Sequence, residues 1–313
     1  MDGTFPVGLI DLRPEAPIVV AHALHLKRDM TLKDAFRAAL VECRAHVVGN
    51  IAPVMDSRDA EALHQLRVGL RRLHIALASF GQTRSTEALR TRAKAFFDAT
   101  GPARDLDVFL TELFEPVVME LGPQEGFAIL RARAELARAR AWDGAVAQIG
   151  APAFADFLDE LSAVTERLPK NAAITVYRHA PAVLDKHLSR VTKRGRGLKT
   201  MSHDGTHRLR IALKKLRYAA EFHASLYKQE PAQRYLKQLK TLQDLLGLVN
   251  DAVQVRAALG HLLLEEAASA SVQADLSFAA GLINGWHRAS AGRLTQKALR
   301  RWRRFKHTEP FWA

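Results

Sequence analysis

Residues 63–77 read LHQLRVGLRRLHIAL, and residues 206–220 read THRLRIALKKLRYAA. Apolar side chains recur at three- and four-residue spacing in both segments, which is typical of amphipathic helices. Chance is enough to explain leucines shared by two amphipathic helices, but it does not readily explain matched histidines and cations. The matched polar pairs are His64 with His207, Arg67 with Arg210, and Arg71-Arg72 with Lys214-Lys215. We therefore predict an internal duplication.

The match continues beyond these two helices after a three-residue slip. The further matched pairs are Lys94 with Lys240, Asp98 with Asp244, Gly101 with Gly247, and Asp105 with Asp251. The two glycines are expected to break helices, and the aspartates that follow are expected to cap a helix or orient a matched arginine. The sequence thus predicts two homologous halves, residues 28–165 and 170–306, related by a pseudo-twofold axis.

Helical spacing dominates the chain after residue 30, and β-branched alternation is nearly absent there. Thr31 followed by Asp34 resembles a capping box and predicts a helix start. Prolines and glycines punctuate the rest. The predicted helices cover residues 31–51, 63–80, 86–100, 103–121, 124–149, 152–167, 171–194, 205–228, 231–246, 249–267 and 272–306. We predict an all-α fold built from antiparallel helix hairpins.

Basic side chains form a stripe along one face of each repeated helix. At 100° per residue, His64, Arg67, Arg71 and His74 fall within an arc of about 80°, apart from the leucines. The matched stripe of the second helix contains His207, Arg210, Lys214 and Arg217. Each stripe places a cation roughly every 5 Å, and neither contains an acidic partner. A solvated helix face is the alternative, but the duplication favours a site for an anion.

The formal net charge of the 313 residues is +13, and it is concentrated in two stretches, 178–217 and 286–313. Such a concentration of positive charge indicates polyanionic partners. Residues Lys193 to Lys199 are expected to form a mobile basic loop. Further candidates for binding lie outside the stripes. They are Arg37, Arg44, Lys94, Lys186, His187, Arg190 and Lys240.

Four elements of the chain resemble motifs of the CHAD family, the conserved histidine α-helical domain. They are HQLRVGLRRL (64–73), GPARDLDVF (101–109), HRLRIALKKLRY (207–218) and LGLVNDAV (246–253), in the order that the family shows. The resemblance covers about residues 28–306. It implies two bundles of four-helix type, related by pseudo-twofold symmetry, with a basic central groove or pore. The chain departs from the pattern at His74, because an arginine is usual at this position. The matching position of the second half, Arg217, has the usual arginine.

The resemblance further implies that the protein binds long-chain inorganic polyphosphate, without catalysis, cofactor or metal, at polyphosphate granules in the cytoplasm. The residues expected to contact polyphosphate are His64, Arg67, Arg71, Arg72, His74, His207, Arg210, Lys214, Lys215, Arg217, Arg37, Arg44, Lys94, Lys186, His187, Arg190 and Lys240. Imidazoles on the stripes are expected to gain protons when a polyanion binds, so affinity should rise as the pH falls from about 8 to about 6.

Two other functions stay open on the sequence alone. RNA or DNA binding is supported by the net charge and by the segment LRRWRRF (299–305), whose aromatic residues either contact a partner or are buried in a last amphipathic helix. A polyphosphate or phosphoester hydrolase is poorly supported, because no set of carboxylates or histidines has the spacing to hold two metals or to activate water. The absence of a GK[ST] loop makes nucleotide hydrolysis by a P-loop unlikely. His203 and His207 have metal-ligand spacing but lack a carboxylate at the right distance along the chain.

The remaining expectations concern the ends of the chain and its single cysteine. We predict an N-terminal arm at 1–27, partly extended, a domain at 28–306, and a C-terminal tail at 307–313. The chain shows no secretory signal and no apolar run of membrane-spanning length. Cys43 lies on an apolar helical stripe and is predicted to be in the core.

Overall fold

A computed structural model describes residues 17–81, 83–166, 174–264 and 269–313. Within these ranges the chain is helical, apart from loops and an isolated bridge between Thr31 and Thr175. The α-helices are α1 (Leu32–Val48), α2 (Ile51–Asp56), α3 (Ala60–Phe80), α4 (Arg84–Ala99), α5 (Gly101–Val108), α6 (Glu115–Leu121), α7 (Glu125–Gly150), α8 (Pro152–Glu166), α9 (Val176–Arg194), α10 (His203–His223), α11 (Gln229–Leu262) and α12 (Ala270–Phe305). The predicted all-α fold is confirmed.

The first bundle packs α1, α3, α4 and α8 together. The leucine stripe of α3, from Leu66 to Leu77, is buried in its core, and so is Cys43 on α1, as predicted. Thr31 caps α1, since its side chain accepts a hydrogen bond from the backbone N–H of Asp34. The predicted capping residue therefore starts the helix where the sequence indicated.

The second bundle packs α9, α10, the first half of α11 and the end of α12 on the other side of the same core. Trp302 and Phe305 are buried in it. The ring of Trp302 lies against Gly195, where a Cβ would come within 2.0 Å of the ring. Of the two interpretations of residues 299–305, the structure supports burial of the aromatic side chains, and the arginines of this segment stay exposed.

A smaller apolar core joins the two predicted halves away from the bundles. It contains Phe109 and Phe114 from the first half and Val255 and Ile283 from the second. The helices that build it are α5 to α7, the end of α11 and the start of α12. The halves therefore share two cores.

Helix α11 corrects the predicted break at Gly247. The sequence predicted helices at 231–246 and 249–267, but one helix runs from Gln229 to Leu262. Glycine inside a helix costs only about 1 kcal/mol, and packing along 34 residues outweighs that cost. Asp251 consequently lies inside α11 and does not cap a helix.

The predicted helix at 103–121 also differs from the structure. It begins at Gly101, and its middle, Phe109–Phe114, is π-helical. Pro116, two residues after Phe114, has no backbone N–H to donate, which disturbs the regular i to i−4 ladder at this place. Helix α2 was not predicted. The predicted helical residues 167, 171–173 and 265–267 and residues 1–16 of the predicted arm lie outside the described ranges.

Both ends of the described chain pack on the helices. Residues 17–27 form no regular secondary structure. The side chain of Asn50 bonds the backbone of Val19, and the N–H of Leu26 donates to Ser225 Oγ at 2.8 Å. At the other end, Trp312 is buried and donates to Asp185 at 2.9 Å. The arm thus connects the two bundles, and residues 307–313 cover the second one.

Helix α7 allows a matched test of the packing in the smaller core. A Cβ at Gly126 would lie 2.1 Å from the backbone oxygen of Asp275 on α12, whereas a Cβ at Gly144 would meet nothing within 4 Å. We expect Gly126→Ala to lower the free energy of unfolding by about 1–3 kcal/mol or more, because α7 and α12 must separate. Gly144→Ala should raise it by roughly 0.5–1 kcal/mol. Thermal unfolding of both variants checks this, and equal melting temperatures would contradict the close approach.

Candidate anion-binding site

A cavity of about 1800 Å³ lies between the two bundles. Its walls are formed by α3, α4 and α5 on one side and by α10 and α11 on the other, and residues 21–25 of the arm border it. The two repeated helices α3 and α10 face each other across this space. The basic stripes that the sequence predicted therefore point into one shared cavity.

Eleven of the predicted binding residues line this cavity in the described part of the chain. They are His64, Arg67, Arg71, Arg72, His74, Lys94, His207, Arg210, Lys214, Lys215 and Arg217. The six others do not line it: Arg37, Arg44, Lys186, His187, Arg190 and Lys240.

These six residues have different surroundings. Arg44 points away from the cavity and donates to the carbonyl oxygen of Leu158 on α8 at 3.0 Å. His187 is buried, and burial lowers its pKa to about 4. Lys240 is exposed on the same side of α11 as cavity-lining Gly247. The remaining three residues, half-buried Arg37 on α1 and exposed Lys186 and Arg190 on α9, are placed outside the cavity wall.

Two arginines of α3 stack on one aromatic ring. The guanidinium carbons of Arg67 and Arg71 lie 4.1 and 4.5 Å from the centre of the Phe97 ring. Arg67 also donates to the backbone oxygen of Phe97 and to Thr100 Oγ1 at 3.0 Å. Phe97 therefore fixes both guanidinium groups at the cavity wall, and burial lowers the pKa of Arg67 to about 10.

The matched arginines lie beside the matched glycines. A Cβ at Gly101 would be 3.7 Å from Arg67 Nη1, and a Cβ at Gly247 would be 3.8 Å from Arg210 Nε. Burial lowers the pKa of Arg210, while the nearby carboxylate of Asp251 opposes the shift. This repeated contact supports the predicted duplication, which stays a prediction, and it gives Gly247 a packing role in place of the predicted helix break.

Lys214 occupies the most unfavourable electrostatic position in the cavity. Burial lowers its pKa to about 6, and the guanidinium groups of Arg71, Arg210, Arg217 and Arg67 lower it further. Desolvation and like charges both disfavour the ammonium form. We call Arg67, Arg71, Arg210 and Lys214 the cation quartet. In the described part of the chain none of the four makes an ion pair with a carboxylate.

Arg72 and Arg217 differ from the quartet because Glu221 neutralises them. Arg217 Nη1 donates to Glu221 at 2.8 Å, and Arg72 Nη1 lies 3.9 Å from the same carboxylate. Arg72 also donates to the backbone oxygen of His22 and stacks on Phe222 at 5.2 Å. Arg72 is only 5% exposed. The sequence predicted that Arg72, like Arg71, contacts polyphosphate. The structure places Arg72 at the cavity wall, where its contacts connect α3, the arm and α10.

The histidines of the first stripe are poorly placed to carry charge. Burial lowers the pKa of His74 to about 4, and its Nδ1 lies 3.2 Å from the carbonyl oxygen of Arg90. Burial also lowers the pKa of His64. Burial therefore disfavours, in the empty cavity, the charge on His74 from which the predicted pH dependence would arise.

Several charged residues of the cavity were missed by the sequence reasoning. Arg90 lies one turn before Lys94 on α4, a spacing that could have identified it. Arg104 belongs to the GPARDLDVF element and pairs with Glu112 at 3.2 Å. Burial raises the pKa of Asp251 to about 6 despite nearby Arg210. The cavity therefore contains acidic groups as well, and they are Asp98, Asp105, Glu112, Glu221, Asp244 and Asp251.

Two classes of feature are absent from the described ranges. No helix in them is sufficiently long and apolar to span a bilayer. They contain no group of three or more His, Cys, Asp or Glu side chains arranged to hold a metal ion. The metal alternative considered for His203 and His207 gains no support.

Two helical bundles around a basic cavity define an all-α binding domain of the kind that the motifs indicated. The CHAD domain family model matches residues 38–260, and the chain therefore belongs to the CHAD domain family. The crystal structure of the CHAD domain from the plant Ricinus communis is 26% identical, with a TM-score of 0.73, and the match covers 88% of this chain and 92% of that one. PptA from Streptomyces chartreusis is 18% identical, with a TM-score of 0.68 over 87% of this chain and 99% of that one, and shares the fold. No relative is found among curated proteins.

Proposed function

We propose that this protein binds long-chain inorganic polyphosphate in the central cavity and does so without catalysis. The observation that carries the proposal is the cation quartet, four basic groups that converge in a half-buried space and, among the described residues, form no ion pair with a carboxylate. Groups of like charge that are held so close need an anion to offset their repulsion. Some members of the CHAD family bind polyphosphate, and proteins of this family are generally non-catalytic binders.

Polyphosphate suits the chemistry of the cavity. It is a flexible chain with about one negative charge per phosphate, and it presents only oxygens to its partner. Arginine guanidiniums donate in a fork geometry that matches phosphate, and lysine adds a compact charge. The ring of Phe97 holds the guanidinium groups of Arg67 and Arg71 in place, so the contacts already made by this ring are with cations. This arrangement favours a polyanion without bases over RNA or DNA.

The same proposal includes a cellular role. A cavity that binds the phosphate chain without cutting it suits a scaffold or chain-sequestering protein at cytoplasmic polyphosphate granules. Nucleic acid is the rival ligand, and a phosphohydrolase is the rival activity.

Direct titration separates these possibilities. Long-chain polyphosphate, RNA, DNA and ATP are titrated into the protein at one ionic strength, and orthophosphate release is followed in the same samples. We expect polyphosphate to bind most tightly and no orthophosphate to appear. Tighter binding of nucleic acid would reverse the assignment of ligand, and metal-dependent release of orthophosphate would overturn the non-catalytic role.

Binding should depend on pH through Lys214. Its pKa is about 6 in the empty cavity, so the amine is largely neutral at pH 8. A bound polyanion raises this pKa, so binding takes up a proton. The binding free energy that charged Lys214 contributes is complete below the free-state pKa and is lost as the pH rises through the bound-state pKa. We expect affinity to fall roughly 10-fold or more from pH 6 to pH 8, since one pKa unit corresponds to a factor of ten. Asp251, also with a pKa of about 6, shifts in the same direction.

Two substitutions identify the titrating group. Lys214→Arg keeps the charge over the whole range, so its affinity profile against pH should be clearly flatter than that of the wild type. His74→Arg replaces the titrating imidazole of the first stripe by a permanent charge, and the wild-type slope should persist in it if Lys214 is the titrating group. A wild-type slope that survives Lys214→Arg and vanishes in His74→Arg would assign the effect to the histidine instead.

A further inference from the structure

A second basic concavity lies on the outer surface, between α11 and the end of α12. Its volume is about 190 Å³. We call it the α11–α12 groove. Its lining residues are Arg234, Lys237, Gln238 and Thr241 from α11 and Arg301 and Arg304 from α12. Four cations and two neutral polar side chains thus face one space, and no acidic residue lines it.

The buried aromatic residues of α12 aim its arginines at this groove. Trp302 and Phe305 point into the core of the second bundle, and each is preceded by an arginine about 100° away on the helix. Arg301 and Arg304 therefore face α11 because the core fixes the rotation of α12. The groove is part of a packed interface between two helices and not a chance meeting of loose surface side chains.

Three of the four cations have no partner of opposite charge. In the described part of the chain, Lys237, Arg301 and Arg304 make no ion pair with a carboxylate, whereas Arg234 pairs with Glu230 at 2.5 Å. The core aromatics nearby are covered, so the groove offers no ring on which a base could stack. These properties fit the phosphate groups of a chain without bases.

Helix α11 connects the groove to the central cavity. Gly247 and Asp244 line the cavity, and Lys240 lies within about 40° of both on the helical wheel. On the same wheel, Lys237 lies about 60° from Lys240, and Thr241 lies about 100° from Lys240 in the same direction. Both residues line the groove. Lys240 is exposed and Lys237 lies at the edge of the groove. A row of cations therefore leads around α11 from the mouth of the cavity to the groove.

We propose that the α11–α12 groove is a second phosphate-binding site, which holds a segment of the same polyphosphate chain after it leaves the central cavity. This inference rests on the proposed function, because the ligand in the groove is the one assigned to the cavity. Two linked sites on one chain raise the apparent affinity without a new kind of contact, since the second binding event is intramolecular. Long chains should gain from the groove, and chains too short to reach both sites should not.

The test compares Arg301→Glu/Arg304→Glu with Arg288→Glu/Arg293→Glu. The second pair makes the same change in net charge at exposed positions of α12 that line neither cavity nor groove. The probes are inorganic tripolyphosphate and long-chain polyphosphate. We expect Arg301→Glu/Arg304→Glu to weaken long-chain binding about 10- to 100-fold more than the control pair, and to lower the slope of log affinity against log salt by about 2. The affinity of Arg301→Glu/Arg304→Glu for tripolyphosphate, which binds in the cavity, should stay within about twofold of the affinity of the control pair.

The outcomes separate the groove from the cavity. If the wild type binds long-chain polyphosphate but the two pairs of substitutions have equal effects, the inference about the groove is overturned and the proposed function stands. A wild type that binds neither probe overturns the proposed function itself. Binding of duplex DNA that is lost in Arg301→Glu/Arg304→Glu, with polyphosphate binding unchanged, would overturn the inference by assigning the groove to nucleic acid.

Discussion

Replacing Arg71 and Lys214 together by glutamate is expected to weaken the binding of long-chain polyphosphate by at least about 100-fold. The two side chains belong to opposite halves, and neither is engaged by a carboxylate in the described ranges. A hydrogen bond to a charged group contributes about 1.5–3 kcal/mol, so losing two removes about 3–6 kcal/mol. Each tenfold change in affinity corresponds to about 1.4 kcal/mol. Introduced carboxylates also repel the ligand.

The fold should survive this change. Both positions lie at the cavity wall, off the buried leucine stripes, and a carboxylate among arginines relieves their repulsion. Far-ultraviolet circular dichroism and melting temperature therefore accompany the titration. Arg288→Glu/Arg293→Glu again serves as the control for net charge. Equal loss of affinity in the two double variants would show that binding follows total charge and not the quartet.

Arg72→Ala is expected to have the largest effect on stability among the basic residues of the cavity. Its guanidinium bonds the arm at His22, lies 3.9 Å from Glu221 and stacks on Phe222. Glu221 keeps Arg217 as its partner, so the cost comes from the lost hydrogen bond to His22, about 1.5–3 kcal/mol for a charged donor, and from the lost cation–π contact, about 2 kcal/mol when desolvated. Since 1 kcal/mol shifts the melting temperature of a large domain by about 2–4 °C, we expect a fall of roughly 6–15 °C.

Arg71→Ala is the matched control, one residue earlier on the same helix. Arg71 makes a cation–π contact with Phe97 but no ion pair in the described chain, so its loss should cost little stability. The two substitutions should therefore have different effects. Arg72→Ala should lower the melting temperature, and Arg71→Ala should weaken binding. A melting temperature of Arg72→Ala equal to that of Arg71→Ala would contradict the role of Arg72 as a connection between the halves.

The sequence predicted the helices and the faces they present, because periodicity reports local amphipathic character directly. The stripe of α3 illustrates this: its leucines are in the core and Arg67, Arg71 and His74 are at the cavity. Helix starts at capping residues were also predictable, as Thr31 shows. These features depend on neighbours within one or two turns.

Features that depend on distant parts of the chain were not predictable. The separation of Arg72 from Arg71 arises from Glu221 and His22, which lie far away in sequence. The continuity of α11 through Gly247 depends on packing along the whole helix, and the smaller core depends on helices of both halves. The low pKa of Lys214 results from arginines of both halves meeting in the cavity, which no single helical wheel contains.

The most direct test of the central claim is the position of the ligand itself. A crystal structure of the protein with a short inorganic polyphosphate shows which side chains contact phosphate. We predict phosphate oxygens at about 2.7–3.2 Å from the guanidinium nitrogens of Arg71 and Arg210 and from Nζ of Lys214, inside the central cavity. Phosphate bound elsewhere on the surface, with the cavity free of ligand at saturating concentration, would contradict it.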